Sequence, residues 1–132
     1  MIDTSVLIAM VDADDAHHPA AREAMQALRR AGEVFVVPAA AYAEFMTRPH
    51  VDGSDAVLRG DGMIDAIPAQ IEPVTRAVGR EAAAIRARFG KRVPLPDALI
   101  IATAIVLGAD RILTADAGWP QQAVPIEVLG GG

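Results

Sequence analysis

The chain contains no cysteine. That excludes disulfides, thiolate metal sites and cysteine nucleophiles. Aromatic residues make up 4%, as three Phe, one Tyr and one Trp, so any core must be built from Ala, Val, Leu and Ile. No apolar run approaches the ~18 residues of a membrane-spanning helix. The opening Met1-Ile2-Asp3 has neither the basic nor the apolar stretch of a secretory leader. A cytoplasmic protein without a membrane partner is expected. Lysine occurs once, at Lys91, and the net charge is −5. This is the wrong sign for simple electrostatic binding of nucleic acid, which wants a basic face. It remains compatible with an enzyme acting on nucleic acid if the acids are gathered in a metal site. Neither phosphate-cradling glycine motif, G-x-x-x-x-G-K-[ST] or G-x-G-x-x-G, is present. Asp3-Thr4-Ser5 lacks the second acid, two positions on, that an aspartyl-phosphate phosphatase would use.

The residues present are mostly apolar. Hydrophobic residues are 52% of 132, enough for one domain by the prior of roughly 150 residues per domain. That domain is expected over residues 1–129, with Gly130-Gly-Gly as a frayed tail. Between Asp97 and Gly108 no residue is charged, and Thr103 is the only polar side chain. A helix apolar all round is expected to be buried on all sides. Ile112 to Thr114 then reads as a strand, with Asp116 just beyond it.

Elsewhere, Ile2 to Ser5 reads as a strand end and Val6 to Val11 as a short helix. Pro19 to Arg30 is helical and Gly32 stops it. Glu33 to Val37 is a β-branched strand. Ala39 to Thr47 is a helix broken by Pro49. Ser54 caps a short helix to Leu58, and Gly60, Gly62 and Pro68 punctuate the stretch beyond it. Ile71 to Val74 is a brief strand. Thr75 caps a helix to Phe89, Asp97 to Leu107 is the apolar helix, and Val124 to Leu129 is an edge strand. Alternating short strands and helices predict an α/β fold: a central, mainly parallel sheet of about four or five short strands with helices on both faces, a three-layer α/β/α arrangement. Ligands in such folds sit beyond the carboxyl ends of the strands.

Four carboxylates fall near such positions: Asp3, Glu44, Asp97 and Asp116, spaced by 41, 53 and 19 residues. Each has an ordinary reading: Asp3 as a helix cap, Asp97 as an acid favoured by a helix dipole, Asp116 as an Asx-turn residue, Glu44 as an i,i+4 partner of Arg48. Context argues for more. Glu44 lies in Ala-Ala-Tyr-Ala-Glu-Phe-Met, and Asp97 opens a buried helix. Two carboxylates ~4 Å apart repel by roughly 4 kcal/mol at an effective dielectric of about 20. If the four converge, they bind protons or hold a cation. Oxygen donors without His or Cys favour Mg²⁺ or Mn²⁺, and such an ion suits phosphodiester hydrolysis by a bound water. Ser5 and Thr114, each two residues from one of these acids, are placed to orient them. Arg76, Arg80, Arg86, Arg88, Lys91 and Arg92 form either a phosphate clamp or a solvated helix face. His17-His18-Pro19 reads as a helix entry.

Asp3-Thr-Ser-Val-Leu-Ile-Ala, Glu44 within a helix, Leu95-Pro-Asp97-Ala-Leu-Ile-Ile-Ala-Thr-Ala and Ile112-Leu-Thr-Ala-Asp116 together resemble the PIN domain. In detail they are similar to the VapC toxins of bacterial toxin–antitoxin pairs. The resemblance covers nearly the whole chain. It implies a metal-dependent endoribonuclease, a homodimer silenced by a VapB-like antitoxin. By motif position Asp3, Glu44, Asp97 and Asp116 would form the acidic centre. Asp3, Asp97 and Asp116 would hold Mg²⁺ or Mn²⁺, and Glu44 would act through water. Gly118 and Trp119 stand where relatives often carry an acid followed by Phe, so one ion is expected rather than two. The competing expectation is a PIN-like module that binds RNA or protein without cleaving.

Overall fold

The computed structural model describes residues 1–130, so the expected tail at Gly131 and Gly132 lies outside the described residues. Among the described residues six α-helices and four short strands follow one another in this order: α1 Thr4–Val11, α2 His18–Arg30, β1 Val36–Pro38, α3 Ala39–Asp52, α4 Ser54–Ala66, β2 Gln70–Glu72, α5 Arg76–Phe89, α6 Leu95–Leu107, β3 Ile112–Thr114 and β4 Ile126–Val128. β1 pairs parallel with β2, and β3 pairs parallel with β4. Ile2 stands between the two pairs. It forms a parallel bridge with Leu113, and its N–H donates to Val36 O at 2.9 Å. The expected first strand is therefore a single bridged residue, because the Asp3 side chain caps Thr4 N–H and starts α1 at once.

The side-chain alternation of β3 divides the core. Leu113 joins a cluster with Ile2, Val6, Leu7, Met25, Phe45 and Met46, which belongs to α1 through α4. Ile112 joins Val78, Ala82, Ile85, Ala98 and Ile101, which belongs to α5 and α6. Helices thus cover both faces of the strands, the three-layer α/β/α arrangement.

Three expectations change. The apolar helix starts at Leu95 rather than Asp97, with Pro94 as the N-cap, so Asp97 is its third residue. It is buried at Ala98 and from Ile100 to Ala104 but not at its ends: Leu95, Val106 and Leu107 are about half exposed. It stops where Gly108 adopts φ +70 and Ala109 N–H donates back to Ala104 O, a left-handed closure that suits Gly. Finally, Pro49 does not end α3, and α4 runs well past Leu58 through Gly60 and Gly62. Gly60 is there for packing, since a Cβ would meet Met46 Sδ at 3.1 Å and Pro49 Cγ at 3.3 Å. A Cβ on Gly62 would meet nothing within 4 Å. Gly62→Ala is expected to stabilise the chain by roughly 0.5–1 kcal/mol, read as a higher urea midpoint, and Gly60→Ala is not.

Candidate functional site

The strand ends converge on one edge of the sheet. Asp3 follows the bridging residue Ile2, and Asp116 lies two residues beyond β3. Asp3 is 5% exposed, and its carboxylate is held from three directions. Oδ1 accepts from Thr4 N–H at 2.7 Å. Oδ2 accepts from Ser5 Oγ–H at 2.8 Å and from Thr114 Oγ–H at 2.7 Å. The two hydroxyls are themselves acceptors, Ser5 Oγ from Ala115 N–H at 2.9 Å and Thr114 Oγ1 from Asp116 N–H at 3.0 Å. Both hydroxyl protons are thereby committed to Asp3, and the same network ties the chain at Ala115 and Asp116 to the start of α1.

The other carboxylates are less enclosed. Glu44 is exposed, not buried as its apolar neighbours in sequence suggest. Phe45 and Met46 turn into the core while Glu44 stays at the surface, where its Oε1 accepts from Thr4 Oγ–H at 2.8 Å. Arg48 pairs with Asp52, at 3.0 Å, rather than with Glu44. Asp116 is exposed and closes an Asx turn, its Oδ1 accepting from Gly118 N–H at 2.7 Å. Asp97, in the first turn of α6, is partly buried. Its carboxyl is pushed up from 3.8 to about 6, first by burial, then by the charges of Asp3, Glu44 and Asp116, with only the Trp119 indole acting the other way. The four acids therefore lie within electrostatic reach of one another.

They are not drawn into a ready-made cage. Among the described residues, no group of three or more Asp, Glu, His or Cys side chains stands close enough to hold an ion as it is. The donor chemistry fits a hard divalent cation: all oxygen, anionic, with Asp3 Oδ1 accepting one hydrogen bond and retaining acceptor capacity.

The family of the chain is settled by its match to the sequence model of the PIN domain over residues 1–125. The chain belongs to the PIN domain family. PIN domains are generally metal-dependent nucleases, and the three-layer fold agrees with the sequence reading. No curated protein matches the chain.

Two features of the PIN domain's site are not legible as functional from sequence. Thr4 links Glu44 to α1, a contact across 40 residues that no local pattern signals. His17, part of the expected helix entry, does occupy the N-cap position of α2 without a side-chain capping bond. It also shares, with Asp15, Ser5 and Asp116, the wall of a cavity of about 310 Å³ beside the acids. The basic residues divide. Arg86 is structural: it donates to Gly90 O at 2.6 Å and Val93 O at 2.9 Å, closing the end of α5. Arg88 and Arg92 lie over the Phe89 ring at 5.0 and 5.9 Å, and together with Lys91 they are exposed. Both bonds of Arg86 are made by its Nη1, so this side chain is held in place at the end of α5 while Arg88, Lys91 and Arg92 are not. No described helix is long and apolar enough to cross a membrane.

Proposed function

We propose that this PIN domain is a Mg²⁺- or Mn²⁺-dependent endoribonuclease, the toxin of a VapBC-type toxin–antitoxin pair. The observation that carries the reading is Asp97: a partly buried carboxyl raised to about 6 by burial and by three other acids from three other elements. A fold maintains such repulsion at a cost to stability, and functional sites are where that cost is usually found. Asp3, Asp97 and Asp116 would hold one ion, with Glu44 acting through water. When bound, the ion lowers the pKa of a water and neutralises charge on the scissile phosphate. Ser5 and Thr114 hold Asp3 in one orientation, so it is pre-set for its role rather than ordered on binding. Thr4 does the same for Glu44, which stands at the surface where a proton from the attacking water can pass to solvent. Arg88, Lys91 and Arg92 offer positive charge for the RNA backbone on an otherwise acidic chain.

The toxin role rests on the four-part motif and its coverage of nearly the whole chain. It implies a homodimer and a VapB-like antitoxin as partners. Expression of the chain alone should arrest bacterial growth, and its antitoxin should restore it.

The direct test is incubation of the chain with RNA and Mg²⁺ or Mn²⁺, with and without chelator. The expected result is cleavage that the chelator abolishes. It should persist at a scissile nucleotide lacking its 2′-OH, because water and not the sugar attacks. Cleavage that survives chelation, or that requires the 2′-OH, would sink the mechanism. RNA binding without cleavage would favour the non-catalytic module.

A further inference from the structure

The cavity beside the acids has a wall that the acidic centre does not use. Ser5 and Asp116 are shared with that centre, and Ile8, Asp15, His17 and Ala115 complete the lining. At about 310 Å³ it stands at the small end of ligand cavities, which run from about 300 to 1,000 Å³. Its chemistry excludes one class of occupant. The lining holds two carboxylates and, among the described residues, no Lys or Arg, so a phosphate is repelled there. The rest suits a neutral, flat group: an imidazole, two apolar side chains and a hydrogen-bond acceptor. Ile8 is 40% exposed although apolar, and the His17 side chain is 47% exposed. The wall is also fixed in place. Asp15 N–H donates to Asp12 O at 3.0 Å, and Asp15 Oδ1 accepts from His17 N–H at 2.8 Å. His18 is engaged elsewhere, its Nδ1–H donating to Ala9 O at 2.6 Å and tying the start of α2 back to α1. The two histidines of the helix entry thus divide. His18 anchors the turn, and the His17 ring stands beside the cavity with its Nδ1 3.6 Å from Asp15 Oδ1, too far for a hydrogen bond.

On the reading of the acids as an RNA-cleaving centre, we propose that this cavity receives the base next to the scissile phosphate and favours one that offers an amine, cytosine over uracil. Asp116 and Ser5 in the lining make the cavity continuous with that centre, so a strand whose phosphate lies at the acids brings an adjoining base to it. His17 is the stacking platform and Ile8 the apolar floor. Unpaired bases of single-stranded RNA are held on aromatic rings, His included, with their edges read by hydrogen bonds. Asp15 is the selecting group. Its Oδ1 is engaged by the backbone, which leaves Oδ2 to meet the base. An ionised carboxylate accepts and does not donate. The N4 amine of cytosine satisfies it, and carboxylates pair with that amine in base recognition. Uracil turns its O4 carbonyl to the same place, where two acceptors repel. Because the backbone already holds Asp15, little ordering is needed when the base enters.

Free nucleosides test this without an ion, a phosphate or cleavage. In ¹H–¹³C spectra of the full, metal-free chain, millimolar cytidine should shift the His17 ring signals and leave those of His50, on α3, in place. Uridine should need about tenfold more for the same shift, the scale of one base-edge contact. Asp15→Asn keeps an oxygen for His17 N–H and adds an amide donor, so it should bring the two nucleosides within about twofold of each other. Asp14→Asn, at an exposed neighbour, should keep the tenfold difference. His17 signals that cytidine leaves unmoved, equal shifts by the two nucleosides, or a preference intact in Asp15→Asn would each overturn the proposal. Nucleosides have no bond for the chain to cleave, so this result is decided whether or not the chain proves to be a nuclease. In the cleavage assay, RNAs that differ only as C or U at the bases flanking the cut should show the same preference of about tenfold in kcat/KM, lost in Asp15→Asn. Equal kcat/KM on the two RNAs would equally overturn it.

Discussion

Asp97→Asn is expected to abolish RNA cleavage and, at neutral pH, to make the chain more stable. The loss of rate should be on the order of a thousandfold, the scale seen when one preorganised electrostatic group is removed from an active site. The gain in stability follows from linkage. Asp97 holds its proton up to about 6 in the folded chain, against 3.8 ordinarily, chiefly through burial and then through Asp3, Glu44 and Asp116. The folded state therefore binds the proton more tightly than the unfolded state. Stability falls as pH rises between those two values, and the full penalty is present above about 6. The Asn variant has no charge to bury and escapes the penalty. Allowing for solvent screening of a half-buried group, the gain at pH 8 should be roughly 1 kcal/mol, or about 3 °C in thermal midpoint. At pH 4 the two proteins should melt alike. A variant less stable than wild type at pH 8 would remove the repulsion from the account. The same ionisation limits activity: cleavage should weaken by about tenfold per pH unit below 6, where a cation must displace the Asp97 proton.

Asp3→Ala should also abolish cleavage, but with the opposite effect on the fold. Asp3 is the N-cap of α1 and the common acceptor for Thr4 N–H, Ser5 Oγ–H and Thr114 Oγ–H. Removing it leaves buried donors without an acceptor and uncaps the helix. The cost should be about 2–4 kcal/mol, read as a lower urea midpoint with an unchanged slope. The ordinary reading of this residue as a cap and the functional one are therefore both served by one carboxylate. An Asp3→Ala chain as stable as wild type would mean that the hydroxyl network holds nothing together. Of the two acids, the buried one held by three donors supports the fold, and the partly buried one in the helix burdens it.

Much of this fold is legible in the sequence, for physical reasons that also mark where reading stops. The uncharged run from Ala98 to Leu107 and the β-branched strand at Ile112 declare themselves by composition, and the three-layer arrangement follows from their alternation with the other helices. Local pattern cuts α4 short because Gly60 and Gly62 weigh against helix. Gly60 is instead demanded by the approach of Met46 and Pro49 from α3, which is a tertiary fact. The apolar sequence neighbours of Glu44 suggest burial, yet a helix turns adjacent residues to different sides. Arg86 cannot be told from Arg88 by sequence, because the carbonyls it binds at Gly90 and Val93 are placed by the turn after α5. The spacing of the four acids points to one centre. Which of them is bonded, exposed or raised in pKa depends on tertiary surroundings, such as Thr4 beside Glu44 and the burial of Asp97, which no local pattern reveals.

The central claim is that these acids share one divalent cation, and Mn²⁺ binding read by electron paramagnetic resonance tests it without RNA. At pH 7.5 the wild-type chain should remove free Mn²⁺ signal to a limit of about one ion per chain, as a site of this donor number implies, and Asp97→Asn should lose that binding while remaining folded. Equal Mn²⁺ binding by the two proteins, or none by the wild type, would contradict the account.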